Sequence, residues 1–290
     1  MFRAWAGKGA KMKYLKLTYS FLKHNSLKMF LYALAPALLY PLVYNPASIF
    51  NFLVGSGDKD VQGFGEIYKA IDSINGPGWI FVFLLALIVG GVCLSAMAGS
   101  IQRRMRYGVE YRNSMGNFWN KVNSFFLPIV MITIELTAIM QIFALLLSIF
   151  SFIWLKVASH AVFIVLTVIT IFVLLFVLLL VVSLFITSFP NMTIKGFGVF
   201  KSLSISVGET VSHIFNIMLA IALPFVGFII PVLLVNLLHF PGSGLLHYIL
   251  NVLYYEAVFM IGLPLVYTIF FDINDMERED LATYKEWGLK

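Results

Sequence analysis

The sequence predicts an all-α membrane protein of six transmembrane helices, arranged as three hairpins with both termini in the cytoplasm. Three observations lead there. First, 60% of the 290 residues are hydrophobic and only 12% are charged, against about a quarter charged in soluble domains. Second, six apolar runs each supply the roughly 20 helical residues that cross a bilayer core. Third, the basic residues divide unequally between the two sets of loops.

The runs cover about 26–44, 79–101, 125–155, 161–189, 214–238 and 246–271. They are continuously apolar rather than alternating, which favours helices over a barrel. The third and fourth exceed the core thickness, so they tilt or protrude. Of the 20 Lys and Arg residues, 17 fall in segments on the side of the termini, leaving Lys59, Lys69 and Lys156 for the other side. The positive-inside rule then places both termini in the cytoplasm of a multi-pass protein of the cell (inner) membrane. The polar segments are about 35 residues or shorter, too small for a core of their own. The expected organisation is a basic segment 1–25, a transmembrane domain 26–272 and a charged tail 273–290.

The lead-in before the first run is polar up to Lys28, longer than the n-region of a signal peptide, so the first helix is expected to remain as an anchor. Residues 11–25 read as a basic amphipathic helix lying at the interface. Lys13, Lys16 and Lys23 share one face, toward anionic inner-leaflet lipid, with Tyr14, Leu15, Leu17, Phe21 and Leu22 opposite. In the outer loop 45–78, Phe64, Ile67, Tyr68 and Ile71 follow i, i+3, i+4, i+7 spacing, which predicts one short surface helix. The cytoplasmic loop 102–124 carries Arg103, Arg104, Arg106 and Arg112 before an aromatic stretch. Together with the three lysines, Arg103, Arg104 and Arg106 form a candidate surface for lipid or a docking partner.

The next cytoplasmic loop repeats the pattern, with Lys195 and Lys201 followed by Leu203, Ile205, Val207 and Val211. Asn191-Met192-Thr193 has the form of a glycosylation acceptor, but it falls on the cytoplasmic side and is expected to be unmodified. The tail mixes Asp275, Glu277, Glu279 and Asp280 with Arg278 and Lys285. It is read as a solvated helix or as a segment docked on the arginine-rich loop.

No nucleophile, base and orienting acid fall together, so no catalytic site is expected, and no cofactor or nucleic-acid partner. Cys93 is the single cysteine, which excludes an intrachain disulfide. His160, His239 and His247 lie at the outer boundary without the spacing of a metal site. Two carboxylates fall within apolar runs. Counted along the helices, Glu135 lies about 10 Å in from the cytoplasm and Glu256 about 12 Å in from the outside. Charge in the bilayer is costly enough that each must face protein or water. Both are candidate intramembrane polar sites, tying helices together or forming steps of one pathway. Glu256 is favoured because Tyr254, Tyr255 and Pro264 are near it in sequence. Gly91, Ser95 and Gly99 repeat every four residues, a candidate helix-packing face. Pro36, Pro41, Pro224, Pro231 and Pro264 interrupt three spans, as kinks or as broken helices around a cavity.

An amphipathic lead, apolar hairpins and Lys201-Ser202-Leu203-Ser204 before the fifth span together resemble the bacterial six-helix families of YciC type. These are grouped with the membrane domain attached to some glycerophosphodiester phosphodiesterases. The layout is also similar to ABC-2 type permeases, in which 102–124 would be the coupling segment. Arg106-Tyr107-Gly108-Val109-Glu110 departs from the Glu-Arg-Glu-x-Gly-Thr stretch many of those carry. The first reading, a non-catalytic subunit of a transport system or larger membrane assembly, rests on the basic cytoplasmic surface rather than on the first resemblance. The second resemblance implies a permease served by a separate cytoplasmic ATPase, and an intramembrane enzyme is the third reading.

Overall fold

A computed structural model describes residues 13–55, 63–72, 79–108, 115–238 and 244–281. Arg112, His239 and Lys285 therefore lie outside the described residues, as does the start of the 11–25 segment. The described chain folds as α1 (Lys13–Val43), α2 (Ser48–Gly55), α3 (Phe64–Ile71), α4 (Trp79–Tyr107), α5 (Met115–Val157), α6 (His160–Phe185), α7 (Ser188–Ile194), α8 (Val199–Thr210), α9 (Ile214–Leu238) and α10 (Gly244–Ile273). Among the described residues six helices are long and apolar enough to cross a membrane: α1, α4, α5, α6, α9 and α10. The chain is a multi-pass integral membrane protein.

Consecutive spans pack side by side, and α10 closes the bundle on α1. The main core lies where α1, α4, α5, α7 and α10 meet, around Phe21, Met29, Ala33, Met97, Ala98, Ile129 and Tyr267. Small residues on α1 and α4 allow that approach. For convenience, the end where α1 begins and α10 finishes is the basic end, and the opposite one the far end.

Three expectations change. Residues 13–25 do not form a separate interfacial helix, because α1 runs from Lys13 through the span without a break. Nothing before Pro36 can interrupt it, and its stripe Tyr14, Thr18, Phe21, Asn25 and Met29 is buried in the bundle. Tyr14 packs with Ile217 of α9 and Leu265 and Ile269 of α10. The prolines do not break their helices either, since α1, α9 and α10 continue through them. In a membrane span, neighbouring side chains and slight local adjustment absorb the lost N–H bond. Lastly, the basic loop 102–124 is mostly the end of α4 and the start of α5. The 43 residues of α5 reach about 65 Å at 1.5 Å per residue.

The outer loop holds α3 over the four residues expected, and also α2, where one short helix alone was expected in that loop. Both dock on the α5–α6 hairpin through Phe52, Ile67 and Ile71 against Phe143, Leu147 and Phe163.

The small-residue face of α4 is turned to α5. A Cβ at Gly91 would lie 2.7 Å from Phe126, and one at Gly99 would lie 2.9 Å from Lys121. Ser95 between them is fully buried and donates back to the Gly91 carbonyl. Gly91→Ala is therefore expected to lower thermal stability in detergent, by about 1–3 kcal/mol for an overpacked contact. Gly227→Ala, where nothing lies within 4 Å, should show no such loss in the same assay.

Candidate functional site

The centre of the far half is a set of hydroxyl groups contributed by four helices, α1, α3, α5 and α10. Thr133, Thr137 and Gln141 lie four residues apart on α5 and so share one stripe. Tyr40 hydrogen-bonds Thr133, and the Tyr44 and Thr137 hydroxyls are 2.8 Å apart. One turn further, Gln141 accepts from Tyr68 at 2.7 Å and donates to Asp72 at 3.1 Å. Each threonine also donates to its own helix, Thr133 to the Ile129 carbonyl and Thr137 to the Thr133 carbonyl. From α10, the Tyr255 hydroxyl donates to the Tyr44 carbonyl at 3.4 Å. The rings of Tyr255 and Phe259 pack on Tyr40 with centroids 5.8 and 5.0 Å away.

Glu256 follows Tyr255 directly, on the α10 stripe that continues to Met260 and Leu263 against the main core. It is 5% exposed. Both carboxyl oxygens are shut off from the surface and have no hydrogen-bond partner. Counted along α10, it stands about 18 Å from one helix end and about 25 Å from the other. A charged group at such a depth costs at least about 3 kcal/mol, and an unpaired buried polar group costs about 1–3 kcal/mol. This side chain is the least satisfied group in its surroundings.

Glu135 is elsewhere. Two residues before Thr137, it is half-buried beside the far end of α1, not near the basic end as counting from Pro128 suggested. The reason is that α5 starts at Met115, so Glu135 is about 30 Å along the helix. Both glutamates nonetheless stand at the level of Tyr40 and Tyr44, Glu135 between the partners of those tyrosines on α5 and Glu256 next to Tyr255 on α10.

The basic candidates divide. Lys13 is bonded to Asp272, Arg103 to Asn117 and Arg104 to buried Asn25. These three hold helices together. Lys16 and Lys23 are exposed, and Arg106 lies over the Tyr107 ring at 5.5 Å. Lys121, which sequence reasoning did not single out, is buried and donates to Ser100 at 2.9 Å.

A second polar cluster was missed altogether. Glu209 of α8 accepts from Thr187 at 2.8 Å, Asn191 at 2.9 Å and Lys195 at 2.7 Å. Lys195 also donates to Asn274 after α10 at 2.8 Å. Gly196, at φ +69°, makes the left-handed turn that brings α8 back along α7, a conformation glycine adopts without steric cost. As a result α8 is inverted relative to its predicted amphipathic role. Ser202, Ser206 and Thr210 face inward, while Phe200 is 88% exposed. Asn191 is fully buried, which by itself bars a glycan. The opposite charges of Lys195 and Glu209 flanking a glycine turn were the only sequence signal. In the tail, Arg278 forks onto buried Asp280 at 3.0 and 2.7 Å and reaches Thr268 at 3.2 Å. The described part of the tail thus folds onto α10 rather than onto the arginine-rich segment.

Burial opposes the charged form of Glu209, but hydrogen bonds from Lys195, Asn191 and Thr187 and the Lys195 charge outweigh it. They hold the carboxyl below the usual carboxylate range. A lowered folded value means that the stabilisation is present above the unfolded value and is lost as pH falls through the folded one. Melting temperature should therefore drop on acidification. Glu209→Gln should cost about 2 kcal/mol near neutral pH and flatten that acid slope. Compared with family models, curated proteins and solved structures, the chain matches none.

Proposed function

We propose that this chain is a non-catalytic subunit of a membrane transport system, with its basic end in the cytoplasm and Glu256 at the polar centre its task requires. The observation that carries the reading is the Glu256 carboxyl, sealed in the middle of a span with no partner for either oxygen. Among the described residues the buried hydroxyls of Thr18, Ser151 and Thr167 also lack a partner, but Glu256 is the one acid in that position, and the polar groups seen to bridge helices are satisfied. Asn25 has Phe21 and Arg104, Lys121 has Ser100, and the α5 threonines have their tyrosines. An apolar residue of similar size at 256 would stabilise the fold more than an unpaired acid does, so a purely structural reading leaves Glu256 without a reason.

The orientation is supported by the 17 basic residues on the side of the termini against 3 on the other. On that side the outward-turned lysines of α1 and Arg106 supply positive charge for anionic lipid or for a further subunit, including an energising ATPase. The apolar residues exposed on α8 suit the same leaflet.

Two experiments test this. In intact cells, cysteines at Ser56 and Asp72 should react with an impermeant reagent while one at Ser114 stays protected. Reaction at Ser114 alone would reverse the orientation. In a deletion strain complemented by the wild-type chain, Glu256→Gln should be made at normal levels and fail to complement, since it keeps shape but cannot ionise. Full complementation by that variant would remove the polar centre from the function.

A further inference from the structure

We propose that Glu256 is a proton-exchange site, carrying a proton in the conformation described here and yielding it to water when α10 parts from the Tyr40–Tyr44 side of α1. The proposal rests on the transport reading for its purpose only and names the species handled at that site.

The first argument is size. Both oxygens are closed off and unpartnered in a side chain 5% exposed. A proton bound to the carboxyl needs no room, whereas a metal ion or an organic cation needs several ligands or a cavity. The second argument is charge. The titratable groups on the elements packed around this stretch are Tyr32 and Tyr40 on α1, with Tyr44 just beyond, Cys93 on α4, and Tyr254 and Tyr255 on α10 itself, while α9 has none. Tyr248 and His247 lie two turns or more away along α10, about 12 Å and about 14 Å by helical rise. None of these is a permanent cation. The nearest on α1, Lys28, is three turns below Tyr40. A buried anionic carboxylate with no hydrogen-bond partner on either oxygen has nothing to balance it, and the neutral acid is the form such a site admits.

The third argument is an exit. Toward the far end the seam between α10 and α1 is made of rings, Tyr255 and Phe259 on Tyr40, with one long hydrogen bond from Tyr255 to the Tyr44 carbonyl. Beyond it the hydrogen-bonding stripe of Thr133, Thr137 and Gln141 leads to Tyr68 and Asp72 of the α3 segment. Water entering along that stripe would meet polar groups at each turn. Release breaks the carboxyl O–H bond, leaves the electron pair on the carboxylate and passes the proton to that water. Uptake is the reverse, and nothing is oxidised or reduced.

The test is infrared spectroscopy on the purified full chain in lipid nanodiscs around neutral pH. The carbonyl band of a protonated carboxylic acid is distinct from the carboxylate bands and shifts on transfer to D2O. The wild-type chain should show such an acid band, deuterium should shift it, and Glu256→Gln should lose it. Glu256→Asp should restore an acid band at a displaced frequency, which keeps the test informative if the amide variant unfolds. If no acid band disappears in Glu256→Gln, the residue is ionised and the proposal falls. If the band disappears but never shifts in D2O, the proton is permanently sealed and the proposal falls equally. Neither result depends on complementation, so the proton site and the transport reading can fail separately.

Discussion

The pairing of α1 with α10 along their whole length is the interaction on which the rest of the bundle depends. At the basic end it is fixed by Lys13 and Asp272 and by Tyr14 packed on Leu265 and Ile269. Further along, Phe21 and Met29 meet Tyr267 and Phe270 in the main core. At the far end the tyrosines of both helices close it. First and last spans must find each other across the entire sequence, and each then presents a second face to its neighbours. α4 packs on α1, α5 on α4, and α9 on α10, with α6 joining the two arms. In lipid the apolar surfaces gain little from meeting one another, so the polar contacts that punctuate this seam set its register.

The number of spans and the helix over 64–71 were legible because both depend on local composition and periodicity. Hydropathy counts methylene groups, and it does not record which face meets lipid. Thus the stripe from Tyr14 to Asn25 reads as an interfacial helix, although its partners are Asp272 and Arg104, distant in sequence. The same limit hid the Glu209 cluster. Ser202, Ser206 and Thr210 look like the wet side of an amphipathic helix, and only the α7–α8 turn makes them the buried side. Depth also cannot be counted from an apolar boundary when the helix begins ten residues earlier, which is why Glu135 lies toward the far end. Glu256 was visible as an ionisable residue in an apolar run, but its lack of any partner is a fact of packing alone.

Satisfaction is uneven across the molecule, and the pattern has a physical reading. At the basic end, charge is plentiful and several of the charges are matched: Lys195 with Glu209 and Asn274, Arg278 with Asp280, Arg104 with Asn25. Such contacts are strong and directional, and they clamp α1, α4, α7, α8 and α10 into one frame. The centre has few polar groups, and its carboxyl is unmatched. The frame is clamped by charge at one end and closed by rings at the other, so the parting proposed for Glu256 falls on the side of Tyr40 and Tyr255 and leaves the α1–α10 contacts of the basic end made.

The hydroxyl pairs between α1 and α5 have a built-in sense. A threonine hydroxyl has one hydrogen, and Thr133 and Thr137 have each given theirs to a carbonyl of their own helix. Tyr40 and Tyr44 must therefore be the donors, and both O–H bonds point from α1 toward α5. The two members of a pair are consequently unequal. Removing the Tyr44 hydroxyl deprives Thr137 of a donor while its own bond to the helix survives. Removing the Thr137 hydroxyl leaves the half-buried Tyr44 donor without its acceptor. The seam tolerates Phe on one side far better than Val on the other, an asymmetry that follows from the direction of two protons rather than from the size of any side chain.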